Sequence, residues 1–162
     1  MQISSQTFCS LPHPYSSPKG RVLIVDDEES VTVLLQRSLA RLGPGMEVWT
    51  ANSGAQALDL LNSERLDLLI TDYQMPNING LELTEAVRQH HTEVKVILMT
   101  AYPSPQIADL VDRLAVDCYL IKPFSCRELR EIVRHLLTSP APLSPPPGGD
   151  SHDDRKNRNS YR

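Results

Sequence analysis

Charged and hydroxyl side chains stand at the ends of the apolar runs of this sequence. Asp26 and Asp27 close the run "RVLIVDD", and Asp72 follows "DLLIT". Thr100 ends "VKVILMT", and Lys122 follows "DCYLI". Clustered carboxylates repel one another, and a hard divalent cation such as Mg²⁺ or a nearby ammonium relieves that repulsion. These residue types therefore indicate a carboxylate centre that could accept a phosphoryl group.

The apolar runs alternate with segments of helical periodicity. Val31, Leu34, Leu35, Leu39 and Leu42 follow the spacing of an amphipathic helix. Later helices are predicted to begin at capping patterns, which lie at Ser53, Asn79, Ser104-Pro105 and Ser125. The alternation predicts an α/β fold with a doubly wound, five-stranded parallel sheet, in which helices cover both faces. We expect the flavodoxin-like (βα)5 strand order 2-1-3-4-5.

This fold would bring the polar residues together. The carboxyl ends of parallel strands share one edge, and ligands bind there, where the strand order reverses. We therefore expect Asp26, Asp27 and Asp72 to converge in one pocket with Lys122 and Thr100. Any one of these residues alone has a simpler explanation, because an aspartate that ends a strand is often a helix cap. The prediction depends on the whole set.

Composition sets the limits on class and location. The 162 residues are 40% hydrophobic and 22% charged, with a net charge of −4, which is typical of a globular protein and not of a nucleic-acid-binding one. No apolar run approaches the ~20 residues that span a membrane. The cysteines are odd in number and form no CxxC pair, which favours a cytoplasmic location. We expect a tail at 1–19, one domain at 20–138 and a Pro-rich disordered tail at 139–162.

The predicted domain resembles the receiver domain of two-component response regulators. The matching segments are "VLIVDDE", "LLITDYQMPNINGLEL", "VILMTAY" and "YLIKPF", in that order. The resemblance implies that Asp72 is the phosphoacceptor and that Lys122 contacts the phosphoryl group, with a cis peptide bond at Lys122-Pro123. It also implies that Thr100 and Tyr119 are a switch pair, which changes the surface of helix 4, strand 5 and helix 5.

The resemblance also implies a Mg²⁺ site. Asp27 and Asp72 would be direct ligands, Asp26 would act through water, and Gln74 would contribute its backbone carbonyl. Gln74 and Tyr102 stand at positions that vary in the family and tune it. We hypothesise that the bulky Tyr102 hinders the water that hydrolyses the acyl phosphate. "Leu114-Ala115-Val116" replaces a frequent Gly-Ala turn, so we expect a slightly altered loop there.

The predicted function is that of a single-domain response regulator, not an enzyme acting on other substrates. A sensor histidine kinase or a histidine phosphotransfer protein would be the donor, and a downstream protein the target. We expect no direct nucleic-acid or membrane contact, and a homodimer on phosphorylation is a further expectation. Two alternatives stay open, a non-phosphorylated interaction module and an aspartate-nucleophile phosphohydrolase. The second is disfavoured because the D-x-D arrangement is missing, and a DNA-binding regulator is disfavoured by length and charge.

Overall fold

The computed structural model describes residues 18–138, and these form a five-stranded parallel sheet with five helices. The order of the strands across the sheet, numbered along the chain, is 2-1-3-4-5, as expected. The elements along the chain are β1 (Gly20–Val25), α1 (Glu29–Ala40), β2 (Met46–Ala51), α2 (Gly54–Ser63), β3 (Leu68–Asp72), α3 (Gly80–His90), β4 (Lys95–Thr100), α4 (Pro105–Arg113), β5 (Cys118–Ile121) and α5 (Cys126–Thr138). Apart from Pro18 and Lys19, the two predicted tails lie outside the described residues.

Two layers of helices cover the sheet, because alternate residues of each strand point to opposite faces. Val22 and Ile24 of β1 belong to a core cluster with residues of α1 and α5. Leu23 and Val25 belong to a second cluster with residues of α2 and α3. All of β3 is buried, as expected for a central strand covered on both faces.

The helices begin where the capping patterns predict. The hydroxyls of Ser53, Ser104 and Ser125 each accept a hydrogen bond from the backbone N–H three residues later. Asn79 forms a complete capping box with Glu82. The side chain of Gln56, in contrast, accepts from the N–H of Asn52 and not from that of Ser53, so the capping pattern at the start of α2 forms only in part.

One predicted core residue of α1 is wrong. Leu34 is 57% exposed, whereas Leu35 and Leu39 are buried. Neighbouring residues of a helix point about 100° apart, and in α1 the buried side includes Leu35 while Leu34 lies outside it. Within residues 18–138, no helix is long and apolar enough to cross a membrane.

Candidate functional site

Backbone hydrogen bonds hold Asp26 and Lys122, the residues that follow β1 and β5, against the neighbouring strands. Asp26 N–H donates to the carbonyl of Ala51 over 3.3 Å, which holds the end of β1 against β2. The Lys122 N–H donates to the carbonyl of Thr100 over 2.7 Å, which holds the end of β5 against β4. The peptide bond between Lys122 and Pro123 is cis, as the resemblance implies. Because the strands are parallel, these ends lie along one edge of the sheet.

A three-residue ionic cluster stands at this edge. The Nζ of Lys122 lies 2.6 Å from Oδ1 of Asp72 and 3.1 Å from Oδ2 of Asp26. The second oxygen of each carboxylate accepts a backbone hydrogen bond of 2.9 Å, from Glu28 N–H at Asp26 and from Gln74 N–H at Asp72. The cluster thus joins the ends of β1, β3 and β5, and it offsets part of the cost of placing Asp72 near the core.

Burial and ion pairing shift the pKa values of Asp72 and Lys122. It raises the pKa of Asp72 above the ordinary value, and the nearby Lys122 only partly opposes that effect. Burial lowers the pKa of Lys122, but its hydrogen bonds to Asp72 and Asp26 outweigh burial, so the pKa of Lys122 is raised. Lys122 is therefore an ammonium at neutral pH, placed between two carboxylates.

The oxygen atoms at this edge are of the type that Mg²⁺ binds, although the expected convergence of three aspartates is incomplete. Asp26 and Asp72 meet at Lys122, whereas Asp27 is exposed and makes no described contact with them. Within residues 18–138, no three His, Cys, Asp or Glu side chains stand together closely enough to hold a metal. Carboxylate oxygens and the Gln74 carbonyl, which meets no described backbone donor, are hard ligands. Mg²⁺ prefers such a sparse oxygen set because it keeps several waters.

Thr100 is fully buried and sits one strand away from Asp72. Its hydroxyl accepts a hydrogen bond of 3.1 Å from the backbone N–H of Tyr102. The Tyr102 side chain itself is 67% exposed, so the described link to the site is made by its backbone and not by its ring. The loop after β4 is thereby tied to the Thr100 hydroxyl.

Tyr119 is half-buried, and its ring packs beside a cluster that contains Leu98 of β4 and Ile107 of α4. Its hydroxyl is buried, and no described group forms a hydrogen bond with it. Burial raises the pKa of this hydroxyl, and the neighbouring Tyr73 adds to the shift. Tyr119 therefore carries a neutral phenol that has no hydrogen-bond partner among the described residues.

Comparison with known protein families shows which family has this arrangement of residues. The family model described as the response regulator receiver domain matches residues 22–134. This chain belongs to the response regulator receiver domain family. Receiver domains are signalling domains of two-component systems, and phosphorylation and Mg²⁺ binding at the phosphorylation site are characteristic of them.

Two curated relatives of this receiver domain are transcriptional regulators. CpxR of Escherichia coli (strain K12) is 41% identical over 118 residues, which are 73% of this chain and 49% of that protein. The alkaline phosphatase synthesis transcriptional regulatory protein PhoP of Bacillus subtilis is 36% identical over 117 residues, which are 72% of this chain and 48% of that protein. The chain spans about half the length of these two relatives.

Solved structures agree with the receiver fold. Chemotaxis response regulator CheY4 of Vibrio cholerae superposes with a TM-score of 0.68 and 29% identity, over 74% of this chain and 99% of that one. Response regulator TrrA of Thermotoga maritima, solved in complex with Mg²⁺ and beryllofluoride, has a TM-score of 0.64 and 40% identity, over 72% and 98% of the two chains.

The receiver domain has one site-shaping residue that motif reasoning missed. Gly80 begins α3, and its N–H donates to the carbonyl of Tyr73 over 3.0 Å. A Cβ at this position would collide with the carbonyl oxygen of Asp72 and would lie 2.9 Å from the Leu98 side chain. The glycine lies within the quoted segment "LLITDYQMPNINGLEL", eight residues after Asp72, and only the close approach of two backbones explains it.

We expect Gly80→Ala to destabilise the domain by about 1–3 kcal/mol, because the collision is with backbone and not with a flexible side chain. The direction of the change in stability is informative, because Ala in place of Gly normally stabilises a helix, whereas a loss is expected here. Urea unfolding measures the change. Gly20→Ala is the control, because its Cβ would meet only the end of the Leu137 side chain, and we expect a smaller loss there. An equal or greater stability for Gly80→Ala would contradict the packing argument.

We expect Tyr119→Phe to raise the free energy of unfolding by about 1 kcal/mol or more, because a buried hydroxyl without a partner costs ~1–3 kcal/mol. Urea unfolding again measures it. Tyr102→Phe is the matched control, since that side chain is 67% exposed and its hydroxyl can bind water. A loss of stability in Tyr119→Phe would mean that the hydroxyl has a partner after all.

Proposed function

We propose that this receiver domain accepts a phosphoryl group on Asp72 from the phosphohistidine of a sensor kinase or a phosphotransfer protein. The observation that carries the proposal is the position of Lys122 Nζ, 2.6 Å from Asp72 and 3.1 Å from Asp26. A buried carboxylate held by an ammonium at the edge of a parallel sheet is suited to nucleophilic attack on phosphorus.

The proposed reaction is an in-line transfer. An oxygen of Asp72 attacks phosphorus, the bond from phosphorus to the imidazole nitrogen breaks, and that nitrogen takes up a proton. Lys122 neutralises charge on the transferring oxygens. Mg²⁺, when bound, would contribute Lewis-acid stabilisation of the same oxygens. Asp26, Asp27, Asp72 and the Gln74 carbonyl are its proposed ligands.

The switch is proposed to begin at Thr100. A phosphoryl group on Asp72 offers acceptor oxygens to the Thr100 hydroxyl, which now accepts from the N–H of Tyr102. When the hydroxyl moves toward the phosphoryl group, this contact is lost and the loop that leads to α4 is released. Tyr119, which packs beside α4, would follow. A local charge change thus biases a two-state surface formed by α4, β5 and α5.

The output is proposed to be protein contact or phosphorelay, with homodimer formation through the α4-β5-α5 surface as a further proposal. The net charge of −4 supports a protein target over nucleic acid. The two curated relatives named above are transcriptional regulators, and control of transcription is the alternative output. We also propose that the protein acts as a single-domain regulator in the cytoplasm.

Mapping the phosphoryl group tests the proposal. The protein is incubated with Mg²⁺ and a small phosphoryl donor, and the product is trapped by borohydride reduction and located by peptide mass spectrometry. We expect modification at Asp72 only, dependent on Mg²⁺. A label at another residue, with Asp72 intact, would refute the proposal. Absence of both a label and Mg²⁺-dependent beryllofluoride binding would favour the non-phosphorylated interaction module, and turnover of a small phosphate ester would favour the phosphohydrolase.

The Tyr102 hypothesis gives a separate prediction. If its bulk hinders the attacking water, phosphorylated Tyr102→Ala should lose its phosphoryl group several-fold faster than the wild type. The decay of the label after donor removal measures this rate. Because the side chain is 67% exposed, the ring must fold over Asp72 only once the phosphoryl group is present. An unchanged rate would contradict the hypothesis.

A further inference from the structure

Arg88, in the last turn of α3, binds the far end of α4. Its Nε donates to the carbonyl of Leu114 over 3.1 Å, and its Nη2 donates to the carbonyl of Ala115 over 2.8 Å. Nη1 donates to the carbonyl of Val94 over 2.6 Å, and Nη2 also reaches Oδ2 of Asp117 over 3.0 Å. One guanidinium therefore joins α3, the start of β4 and the loop between α4 and β5.

The partner of Arg88 is itself fixed. Asp117 accepts from the N–H of Val96 over 2.8 Å and pairs with Nζ of Lys95 over 3.0 Å, so it is anchored to β4. The side chains of Arg88 and Asp117 are both only 18% exposed. Charge-assisted hydrogen bonds in such partly buried positions are stronger and less screened than those of a surface ion pair.

The loop that receives these bonds is conformationally unusual. Ala115 has φ of 48°, the left-handed region in which glycine is normally preferred. Leu114 and Ala115 end α4, where carbonyls lack partners within the helix and attract a cation. Arg88 supplies side-chain contacts that hold this loop, whereas the expectation that it departs from the family's frequent Gly-Ala turn stays a prediction.

The opposite end of α4 is held less firmly. In the described residues, the first-turn hydrogen bonds of Ile107 and Ala108 both go to Ser104, the cap of the same helix. Along the helix, only Ile107 and Val111 are buried. The loop before this end is linked to β4 by the bond from Tyr102 N–H to the Thr100 hydroxyl, which the proposed switch breaks.

We propose that Arg88 fixes the C-terminal end of α4 as a pivot, so that the switch moves the N-terminal end of this helix. The inference rests on the proposed function, because it assigns a direction to the motion that phosphorylation starts. Arg88 acts here through α4 and makes no described contact with the acceptor site. A helix that another element clamps at one end, and that is held at the other end by its own cap and the burial of Ile107, turns about the clamped end.

Hydrogen exchange of the unloaded protein tests the clamp. We expect Arg88→Met to accelerate exchange of the amides of residues 111–117 by about tenfold or more, with little change at residues 105–108. Arg88→Lys keeps the charge but loses the fork that reaches four acceptors, so it should restore little of the protection. Arg127→Met is the matched control, because Arg127 is 83% exposed and its pair with Glu131 lies on α5. Unchanged exchange at residues 111–117 in Arg88→Met would overturn the proposal.

Loading with Mg²⁺ and beryllofluoride tests the pivot. In the wild type, exchange should change at residues 101–108 and stay constant at residues 111–117, whereas in Arg88→Met both ends should change. A wild type that changes equally at both ends, or at neither, would overturn the pivot. Bound beryllofluoride is measured separately by ¹⁹F NMR, so failure of the proposed function appears as absent binding and failure of the pivot as binding with the wrong exchange pattern. If Arg88→Met does not fold, Asp117→Asn keeps the side-chain shape but removes the charge that pairs with Arg88 and Lys95, and it should accelerate exchange at residues 111–117. Unchanged exchange there would overturn the proposal.

Discussion

Asp72→Asn is expected to abolish uptake of a phosphoryl group while leaving the fold intact. An amide cannot form the acyl phosphate, and the isosteric side chain can still accept a hydrogen bond from Lys122 or from Gln74 N–H, the two donors that Asp72 uses. The expected result is no detectable label from a small donor and no Mg²⁺-dependent binding of beryllofluoride. Intact-mass spectrometry and ¹⁹F NMR measure the two. Asp59→Asn, an exposed position on α2, should behave as the wild type.

The same substitution should stabilise the metal-free protein at neutral pH. Burial raises the pKa of Asp72 above its value of 3.8 in the unfolded chain, so ionisation favours the unfolded state. At pH values well below 3.8 the Asp72 carboxyl is protonated in both states, so its ionisation costs no stability. The loss of stability develops as the pH rises from 3.8 to the folded-state pKa, and it is complete above that pKa. Urea unfolding should therefore find the Asp72→Asn variant more stable than the wild type at neutral pH, with the advantage shrinking as the solution is acidified below the folded-state pKa. A wild type that is the more stable of the two at neutral pH would contradict the burial argument.

Mg²⁺ should make the wild type more stable than the Asp72→Asn variant. A cation bound to the folded wild type alone stabilises it by mass action, by about 2.7 kcal/mol at a free concentration 100 times the dissociation constant. The Asp72→Asn variant lacks one carboxylate of the proposed ligand set and should gain much less. Thermal unfolding over a Mg²⁺ titration gives both curves, and equal shifts in the two proteins would mean that the ion binds elsewhere.

Lys122→Met should have the second large effect, on both rate and stability. Loss of one preorganised charge that faces a developing negative charge typically costs about 10²–10³-fold in rate. The substitution also leaves Asp26 and Asp72 buried side by side without their described counter-ion, and breaking a buried pair costs about 3–5 kcal/mol. Initial rates of phosphorylation from a small donor and urea unfolding measure the two losses. Lys95→Met is the matched control, because Lys95 pairs with the carboxylate of Asp117 at the other end of β4.

A double-mutant cycle separates the charge effect from lost packing. Because the penalty arises from an uncompensated carboxylate, Lys122→Met should cost much less in an Asp72→Asn background, where one negative charge is gone. Mg²⁺ should restore part of the stability of Lys122→Met, since it replaces the missing positive charge. A cost that is the same in both backgrounds would assign the loss to the packing of the lysine stem.

Much of this fold could be predicted because local patterns and burial agree. Residues 22–25 of β1 and 68–70 of β3 are all apolar, which is typical of strands covered on both faces. The capping residues Ser53, Asn79 and Ser104 marked three helix starts because the unpaired N–H groups of a first turn need local acceptors. Periodicity alone failed at Leu34, because two adjacent leucines both fitted the pattern and only packing selects one.

The sequence by itself determined the residue types of the candidate site and the edge on which they lie. Strand ends are local properties, and parallel pairing then places Asp26, Asp72 and Lys122 on one side. Only the tertiary structure decided which of them touch. Asp27 follows Asp26 in the chain, yet it is exposed while Asp26 meets Lys122, a residue 96 positions away. The close approach of Gly80 to Asp72 and the contacts of Arg88 with the end of α4 were equally hidden. Each depends on distances between elements, which arise only when the helices pack on the sheet.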